Sequence, residues 1–166
     1  MGKKRKKKPE PPPIEVYGDG IVAKNRRASF NYELGQRFEA GLVLVGSEVK
    51  MLRHGKADLT DTWCAIERRE AYVHGIKIPV PSGAAFGGHK AKRPRKLLLN
   101  RHEIDQLQRG IERQGMTAVA TLIYFRGGRA KLEIALAKGK RTVDKRRTMK
   151  ERDADREAEA AIRERK

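Results

Sequence analysis

The stretch MTAVATLIYFRGGRAKLEIALA, residues 116–137, carries the clearest secondary-structure pattern in the chain. In its second half, Leu132, Ile134 and Leu136 alternate with polar or small residues, which is the period of a half-buried strand. An apolar run precedes the Gly127-Gly128 pair, and two glycines suit a two-residue primed turn. The sequence therefore predicts a β-hairpin with its turn at these glycines.

A well-marked helix comes immediately before this hairpin. Asn100 is a good N-cap residue, Glu103 stands three positions later as in a capping box, and Gly115 follows the last turn. Its apolar residues recur at helical spacing: Ile104, Leu107 and Ile111. We expect a helix from about residue 101 to 114 that buries this stripe.

Further upstream, residues 28–45 alternate loosely and predict one or two strands, broken near Gly35 or Gly41. Residues 79–96 contain three prolines, three glycines and a basic cluster, so they predict a long loop that is mobile unless bound.

Between those two segments, Ser47 can cap a short helix that ends at Gly55. Two β runs follow, roughly 63–67 and 71–78, joined by the charged turn ERRE. Short strands with two helices and no regular βα alternation favour a mainly β fold, built on an antiparallel sheet or barrel with flanking helices.

The two ends of the chain differ from the middle. Residues 1–13 are a basic, proline-rich arm, expected to be disordered. Residues 14–137 can enclose one core, and residues 138–166 form a basic tail without an apolar face, expected to be disordered alone. We expect one folded body with two polar ends.

The net charge of +18 and a sequence pI near 10.4 indicate a polyanionic partner, either nucleic acid or an anionic membrane surface. The candidate RNA-binding cations lie in two clusters, KNRR and KAKRPRK: Lys24, Arg26, Arg27, Arg93, Arg95 and Lys96. Charge alone does not show whether the partner is RNA or DNA. It also does not show which of these cations contact the partner and which are only solvated.

Enzyme chemistry has no support in the sequence. Walker loops, nucleophile elbows and metal-ligand spacings are not found, the histidines are scattered, and Cys64 is the single cysteine. We expect no enzyme activity, no cofactor and no metal. The sequence contains neither a membrane-length apolar run nor a secretory signal, so a cytoplasmic protein without a membrane partner is expected.

Four motifs resemble the SsrA-binding protein family, also called small protein B (SmpB): FEAGLVLVGSEVKMLRHGKADLTD (38–61), RPRKLLLNRHEI (93–104), YF with AKLEIALAKGK (124–140), and DKR (144–146). The resemblance runs in order from about residue 21 to 152. It implies a small closed antiparallel OB-fold-like β-barrel with flanking helices.

The resemblance also implies a function. Members of the family bind transfer-messenger RNA and bring it to stalled bacterial ribosomes, and the body and the tRNA-like RNA domain together mimic a tRNA. Alanyl-tRNA synthetase and elongation factor Tu are indirect partners. The tail probes the small-subunit decoding centre and empty mRNA channel, and its expected ribosome-binding residues are Lys138, Lys140, Arg141, Asp144, Lys145, Arg146, Arg147 and Lys150.

By resemblance, Glu39, Leu98 and Asn100 bind RNA. Each has an alternative. Glu39 can bond a base amino group or orient an arginine, Leu98 belongs to an apolar triplet that is more often core, and Asn100 can act through the helix start. Val143 stands where the family often has a ring, and Ala154 where many members have tryptophan, so stacking roles do not transfer.

Two functional interpretations stay open. The first is a body that recognises transfer-messenger RNA with a tail that reports an empty channel and becomes helical there. The alternative is a general RNA chaperone or ribosome-associated RNA-binding protein.

Overall fold

A computed structural model describes residues 20–82 and 88–164 of the chain. The strands are β1 (Gly20–Lys24), β2 (Tyr32–Leu42), β3 (Trp63–Glu67), β4 (Glu70–His74), β5 (Arg95–Leu98), β6 (Thr117–Arg126) and β7 (Arg129–Gly139). The helices are α1 (Ala28–Asn31), α2 (Gly46–Arg53), α3 (Arg101–Gln114) and α4 (Thr142–Glu164). The predicted arm, residues 1–13, lies outside the described residues.

The predicted hairpin is confirmed and lies inside the sheet. β6 pairs with β7 up to Arg126 and Arg129, and Gly127 and Gly128 form the turn with φ of 55° and 71°. Both angles lie in the left-handed region that a type I′ turn requires. The second turn of this kind joins β3 to β4 at Arg68 and Arg69, within the predicted ERRE segment.

The seven strands form one antiparallel sheet in the order β1-β6-β7-β2-β5-β4-β3. A mainly β body with flanking helices is therefore confirmed. The expected closed barrel is not confirmed. Strand β3 lies close to β6, but among the described strands no hydrogen-bonded pairing joins β3 to β6 or to β1.

Strand β2 is one continuous strand, whereas the sequence was compatible with either one strand or two. Its register against β7 shifts between Leu34 and Arg37, so the irregularity falls at the predicted position near Gly35. Near its end β2 lies between β7 and β5, and Gly41 pairs with both Lys131 and Leu98. Residues 28–31, expected to be extended, form α1 instead.

The helix predicted to be capped by Ser47 begins two residues earlier than expected, at Gly46, with Val45 as its N-cap. The Glu48 carboxylate accepts the Val45 backbone N–H at 3.0 Å, so a side chain in the first turn satisfies the donor before the helix. Ser47 instead hydrogen-bonds His89 Nδ1 at 2.9 Å. Gly55, with φ of 68°, follows the helix end as predicted.

The β run predicted at 71–78 is too long. Strand β4 ends at His74 because Gly75 adopts a φ of 81°, and a Cβ there would lie 2.2 Å from the Asp61 carbonyl oxygen. Ile76 and Ile78 are nevertheless fully buried, in an irregular segment that still contributes to the core.

Helix α3 has the predicted bounds and buries the predicted stripe. Leu107 is fully buried, Ile104 nearly so, and Ile111 packs against the same core. Gly110 lets the helix approach β7, because a Cβ there would lie 2.6 Å from Leu136 Cδ1.

The tail, predicted to be disordered alone, contains the helix α4 from Thr142 to Glu164. Lys140 and Arg152 connect it to α1: Lys140 Nζ donates to the Ser29 carbonyl at 3.0 Å, and Arg152 donates to Ser29 Oγ at 2.9 Å. Met149 and Ile162 remain exposed on the helix. Disorder of the tail in isolation stays a prediction.

Candidate RNA interface

A cleft of about 670 Å³ lies where β2, β5 and β7 meet the start of α3. We call it the β5 cleft and define it by Glu39, Arg69, Lys96, Leu98, Asn100 and Lys131. The three residues that the resemblance assigned to RNA binding all line it. They come from two segments about 60 residues apart in sequence, so the sheet pairing of β2 with β5 brings them together.

Strand β5 alternates between core and cleft. Arg95 and Leu97 point inward, with Leu97 2% exposed, whereas Leu98 is 56% exposed. The interpretation of Leu98 as a core residue is therefore wrong. An exposed leucine beside cations gives the cleft an apolar surface on which a ribose or base can pack.

Glu39 is tied to three neighbours at the edge of the cleft. It accepts a hydrogen bond from the Tyr124 hydroxyl, lies 2.7 Å from Arg126 Nη1, and lies 3.5 Å from Lys131 Nζ. The Tyr124 hydrogen bond, with the charges of Arg126 and Lys131, holds the pKa of Glu39 below its usual range despite partial desolvation. Glu39 is thus ionised and orients two cations.

The pKa of Tyr124 shifts in the opposite direction to that of Glu39. Burial and the hydrogen bond to the Glu39 carboxylate raise the pKa of Tyr124 to about 12. The guanidinium of Arg126 also lies 5.5 Å from the centre of the Tyr124 ring. The phenol therefore stays protonated and fixes the carboxylate from one side while Arg126 holds it from the other.

Asn100 lies at the junction of cleft and helix. The Glu103 carboxylate accepts the Asn100 backbone N–H at 2.9 Å, and the Asn100 carbonyl accepts the Ile104 N–H at 3.1 Å. The position is therefore both the helix cap and part of the cleft lining. Both alternatives for Asn100 are compatible with this geometry.

Lys96 projects into the cleft and pairs with Glu70, and this ion pair is partly exposed. The contact raises the pKa of Lys96 and lowers that of Glu70, so both groups are charged at neutral pH. Arg101 donates to the carbonyl of Arg69 at 2.8 Å and thereby holds the β3–β4 turn beside the cleft.

Arg95 corrects a sequence prediction. Its side chain is fully buried, 2.8 Å from an equally buried Glu48, and it donates to the Ile76 carbonyl at 2.8 Å. A phosphate cannot reach this guanidinium. Arg93 also pairs with the Glu48 carboxylate, and its side chain is partly exposed. A phosphate can therefore reach only part of the Arg93 guanidinium.

Two cations of the KNRR cluster, Lys24 and Arg26, lie at a second surface. We call it the α1–α4 notch and define it by Lys24, Arg26, Ser29, Arg152 and Arg156. Its volume is about 400 Å³. Four cations surround one hydroxyl there, so the notch is strongly basic.

The remaining tail residues lie along the end of β7 and on α4, and most are exposed. Among those described, Arg147 pairs with Glu151 at 3.0 Å, an i,i+4 pair on the helix surface. The side chain of Val143 is outside the described residues. Within the described part of the chain, no group of three or more His, Cys, Asp or Glu side chains could hold a metal ion, and no helix could cross a membrane.

The family model described as SmpB protein matches residues 22–164. The chain belongs to the SmpB family. It is 58% identical over 145 residues to an SsrA-binding protein of Sorangium cellulosum (strain So ce56), covering 87% of this chain and 89% of the relative. An SsrA-binding protein of Nocardioides sp. (strain ATCC BAA-499 / JS614) is 49% identical over 145 residues, covering 87% and 91%.

A solved SmpB-family structure is similar as well. The chain matches one from "tmRNA-SmpB: a journey to the center of the bacterial ribosome" with a TM-score of 0.62 and 39% identity. The match covers 72% of this chain and 85% of the solved one.

In this SmpB-family chain, the predicted RNA-binding residues divide among four places. Glu39, Lys96, Leu98 and Asn100 line the β5 cleft, Lys24 and Arg26 line the α1–α4 notch, Arg27 lies elsewhere, and Arg93 and Arg95 hold Glu48. Sequence reasoning missed Arg69, Tyr124, Arg126 and Lys131 as neighbours of the cleft. The strand alternation already placed Lys131 on the face opposite Leu132, but it could not show that Glu39 lies beside it.

Proposed function

We propose that the protein binds transfer-messenger RNA (SsrA RNA) and is required for the stable association of that RNA with stalled ribosomes in trans-translation. The relatives are SsrA-binding proteins, and the similar solved chain is named for tmRNA, SmpB and the bacterial ribosome. The observation that carries the proposal is the convergence of Glu39, Leu98 and Asn100 in one cleft bordered by cations.

The chemistry of the β5 cleft suits folded RNA. Lys96, Lys131 and Arg69 can neutralise phosphates, while Leu98 offers an apolar surface to a ribose or an unstacked base. Glu39 orients Arg126 and Lys131 through its carboxylate. The carboxylate in a basic cleft therefore positions the cations that hold the RNA.

The body and the tail have separate roles in this proposal. The body, residues 14–137, binds the tRNA-like RNA domain and together with it mimics a tRNA. The tail, residues 138–166, probes the decoding centre and the empty mRNA channel of the small subunit through its basic residues. Support comes from the difference between a cored body and a helix with exposed Met149 and Ile162.

The protein acts without catalysing a reaction, in the bacterial cytoplasm where its ribosomal partner works. Elongation factor Tu and alanyl-tRNA synthetase act on the RNA rather than on this chain. We also infer that β3 and β6, which approach each other without pairing, form the seam of a barrel-like body of the OB type.

The test uses two changes to the full chain. Lys96→Ala with Lys131→Ala should weaken binding of transfer-messenger RNA at least tenfold, because two phosphate-neutralising cations are lost from the cleft. Deletion of residues 139–166 should leave that affinity nearly intact and abolish peptide tagging on stalled ribosomes.

Binding is measured by gel shift at about 0.15 M salt with excess bulk tRNA, because specific binding must survive non-specific competition. A matched control is Lys50→Ala with Lys56→Ala, which removes the same charge outside the β5 cleft. Displacement by bulk tRNA would contradict the proposal and favour a general RNA-binding protein. A loss of RNA binding as large as the loss of tagging in the deletion variant would contradict the division between body and tail.

A further inference from the structure

Trp63 forms a ring stack at the edge of the sheet. Its indole lies 4.2 Å from the His74 ring, centroid to centroid, with an angle of 6° between the planes. The residue is nevertheless 48% exposed, although it begins the terminal strand β3. It is also the single tryptophan of the chain. A large aromatic ring is thus held rigidly by its neighbour and left open to solvent.

A small pocket of about 190 Å³ adjoins this ring. Binding sites for drug-sized molecules typically measure about 300–1,000 Å³, so the pocket suits a single ring-sized group. Some of its polar groups are already used: Asn25 bonds the carbonyls of Leu59 and Ala120, and Thr62 bonds the Leu59 carbonyl. These contacts make the pocket wall rigid.

The pocket is also lined by Arg27, Asn31 and Asp61, beside the hydroxyl-bearing side chains of Tyr32, Thr60 and Thr117. Within the described part of the chain, neither the amide of Asn31 nor the carboxylate of Asp61 has a hydrogen-bond partner in the protein. The guanidinium of Arg27 is exposed and acts on Asp58 through its charge alone. One stacking ring, one amide, one carboxylate and one cation therefore converge on a site of ring size.

We propose that this pocket binds one unpaired nucleobase of an RNA, stacked against Trp63, and that it prefers a base with an exocyclic amino group. A carboxylate accepts hydrogen bonds but donates none, so Asp61 suits the amino group of adenine, cytosine or guanine and not the carbonyl edge of uracil. Arg27 can hold the adjoining phosphate, and stacking on an aromatic ring adds affinity for any base.

RNA is favoured over an apolar protein segment by the charge of the site. Its open walls carry a guanidinium, a carboxylate and an amide, and the chain has a net charge of +18. An apolar segment would leave these polar groups unpaired on binding, which is costly. A base with its phosphate satisfies each of them.

The Trp63 pocket shares no lining residue with the β5 cleft or with the α1–α4 notch. The inference therefore goes beyond the proposed function, because it adds a base-reading contact on a separate part of the body. It does not depend on which RNA the β5 cleft binds, and the two can be tested independently.

Trp63 itself reports on the site, because the full chain has no second tryptophan. Titration with the hexanucleotides oligo(A) and oligo(U) should quench Trp63 fluorescence in a saturable way with oligo(A). The affinity for oligo(U) should be roughly fivefold to tenfold weaker, the scale of one good base-edge contact. Equal responses to the two oligonucleotides, or none to either, would overturn the proposal.

Two pairs of variants identify the contacts, with binding followed by the anisotropy of a labelled oligonucleotide. Trp63→Tyr should keep most of the oligo(A) affinity and Trp63→Leu should lose it, while thermal unfolding of both stays close to wild type. Asp61→Ala should remove the preference for oligo(A), whereas the matched control Glu33→Ala, an exposed carboxylate outside the pocket, should keep it.

Loss of the preference in both carboxylate variants would show a general charge effect and would also overturn the proposal. Binding of transfer-messenger RNA is measured in parallel with the Lys96→Ala, Lys131→Ala protein. If the proposal for the β5 cleft is wrong, only the transfer-messenger RNA assay shows it. If the proposal for the Trp63 pocket is wrong, only the oligonucleotide assays show it.

Discussion

The guanidinium of Arg95 and the carboxylate of Glu48 form an ion pair at 2.8 Å in which neither side chain is exposed to solvent. Arg95 also donates to the carbonyls of Ile76, Arg93 and Ala91. These contacts fasten β5 to helix α2 and to the backbone at Ile76 and Ala91. The ion pair therefore positions the strand whose next residue, Lys96, enters the β5 cleft.

Arg95 and Lys96 should separate stability from RNA binding. Arg95→Met leaves a buried carboxylate with one partner fewer and should lower the free energy of unfolding by about 3–5 kcal/mol. Lys96→Met breaks a partly exposed pair and should cost far less, because exposed ion pairs contribute little to stability. Both substitutions remove one positive charge. Urea denaturation measures the stabilities.

At a temperature where both variants are folded, transfer-messenger RNA should bind more weakly to Lys96→Met than to Arg95→Met. The reverse order would contradict the assignment of these two neighbours to core and cleft.

Glu48 gives the stability a defined pH dependence. Burial opposes its ionisation, but the hydrogen bonds from Arg93 and the Val45 N–H and the charge of Arg95 lower the pKa of Glu48 below its ordinary value of 4.5. A carboxyl group with a lower pKa in the folded state stabilises the fold above the unfolded pKa. This contribution is lost as the pH falls through the folded value.

We therefore expect wild type to lose stability below about pH 4.5, and Glu48→Gln to lose less over the same range while starting about 3 kcal/mol lower at pH 7. Thermal unfolding from pH 7 to pH 3 measures both curves. Glu39 and Glu70 titrate in both proteins, so the difference between the curves isolates Glu48. Parallel curves would contradict the ionised state of Glu48.

The local signals in the sequence were sufficient for the hairpin and for α3. Paired glycines, strand alternation and a capping pattern act over a few residues, and tertiary packing did not override them. The same reasoning failed for Ser47, because the helix already begins at Gly46, where Glu48 accepts the Val45 N–H, and the Ser47 hydroxyl bonds His89 instead.

The β5 cleft could not be predicted from short-range sequence patterns. Alternation along RKLL separates Arg95 and Leu97 from Lys96 and Leu98, but it does not say which pair faces the core. That choice depends on Glu48, 47 residues away, which turns an arginine inward. Glu39, Leu98 and Asn100 came from the family resemblance, and their meeting in one cleft depends on the pairing of β2 with β5.

Leu97 and Leu98 form a second matched pair. Leu97→Ala should lower the free energy of unfolding by about 2–5 kcal/mol, because Leu97 is a buried core residue. Leu98→Ala should change stability little, because the side chain is already largely exposed, and should weaken RNA binding severalfold. Chemical denaturation and gel shift measure the two effects. A large stability loss for Leu98→Ala would contradict its place in the cleft.

Asn100 can be tested by keeping its cap and removing its amide. Asn100→Ser retains a good N-cap residue and should stay within about 0.5 kcal/mol of wild-type stability, whereas Asn100→Ala should lose about 1 kcal/mol. We expect both to weaken binding of transfer-messenger RNA, because Asn100 lines the cleft. Full RNA affinity in Asn100→Ser would instead show that Asn100 acts through the helix start.

Helix α4 should be unequally stable along its length. The tail contacts α1 through Lys140, which precedes α4, and through Arg152 of α4. The Arg152 guanidinium lies 5.7 Å from the centre of the Phe30 ring. Isolated helices are marginal in water, so the peptide 139–166 should be mostly disordered by circular dichroism. In the full chain, hydrogen exchange should protect the amides of residues 146–152 more than those of 157–163.

Phe30→Ala should reduce the difference in amide protection between the two halves of α4. The substitution removes the ring under Arg152 and leaves the exposed helix surface unchanged. Val22→Ala, a partly buried residue of β1, serves as a control for general loosening of the body. Uniform protection along α4 in wild type would contradict the anchoring role of α1. The expected gradient leaves the distal half of α4 more open to exchange than the half that contacts α1.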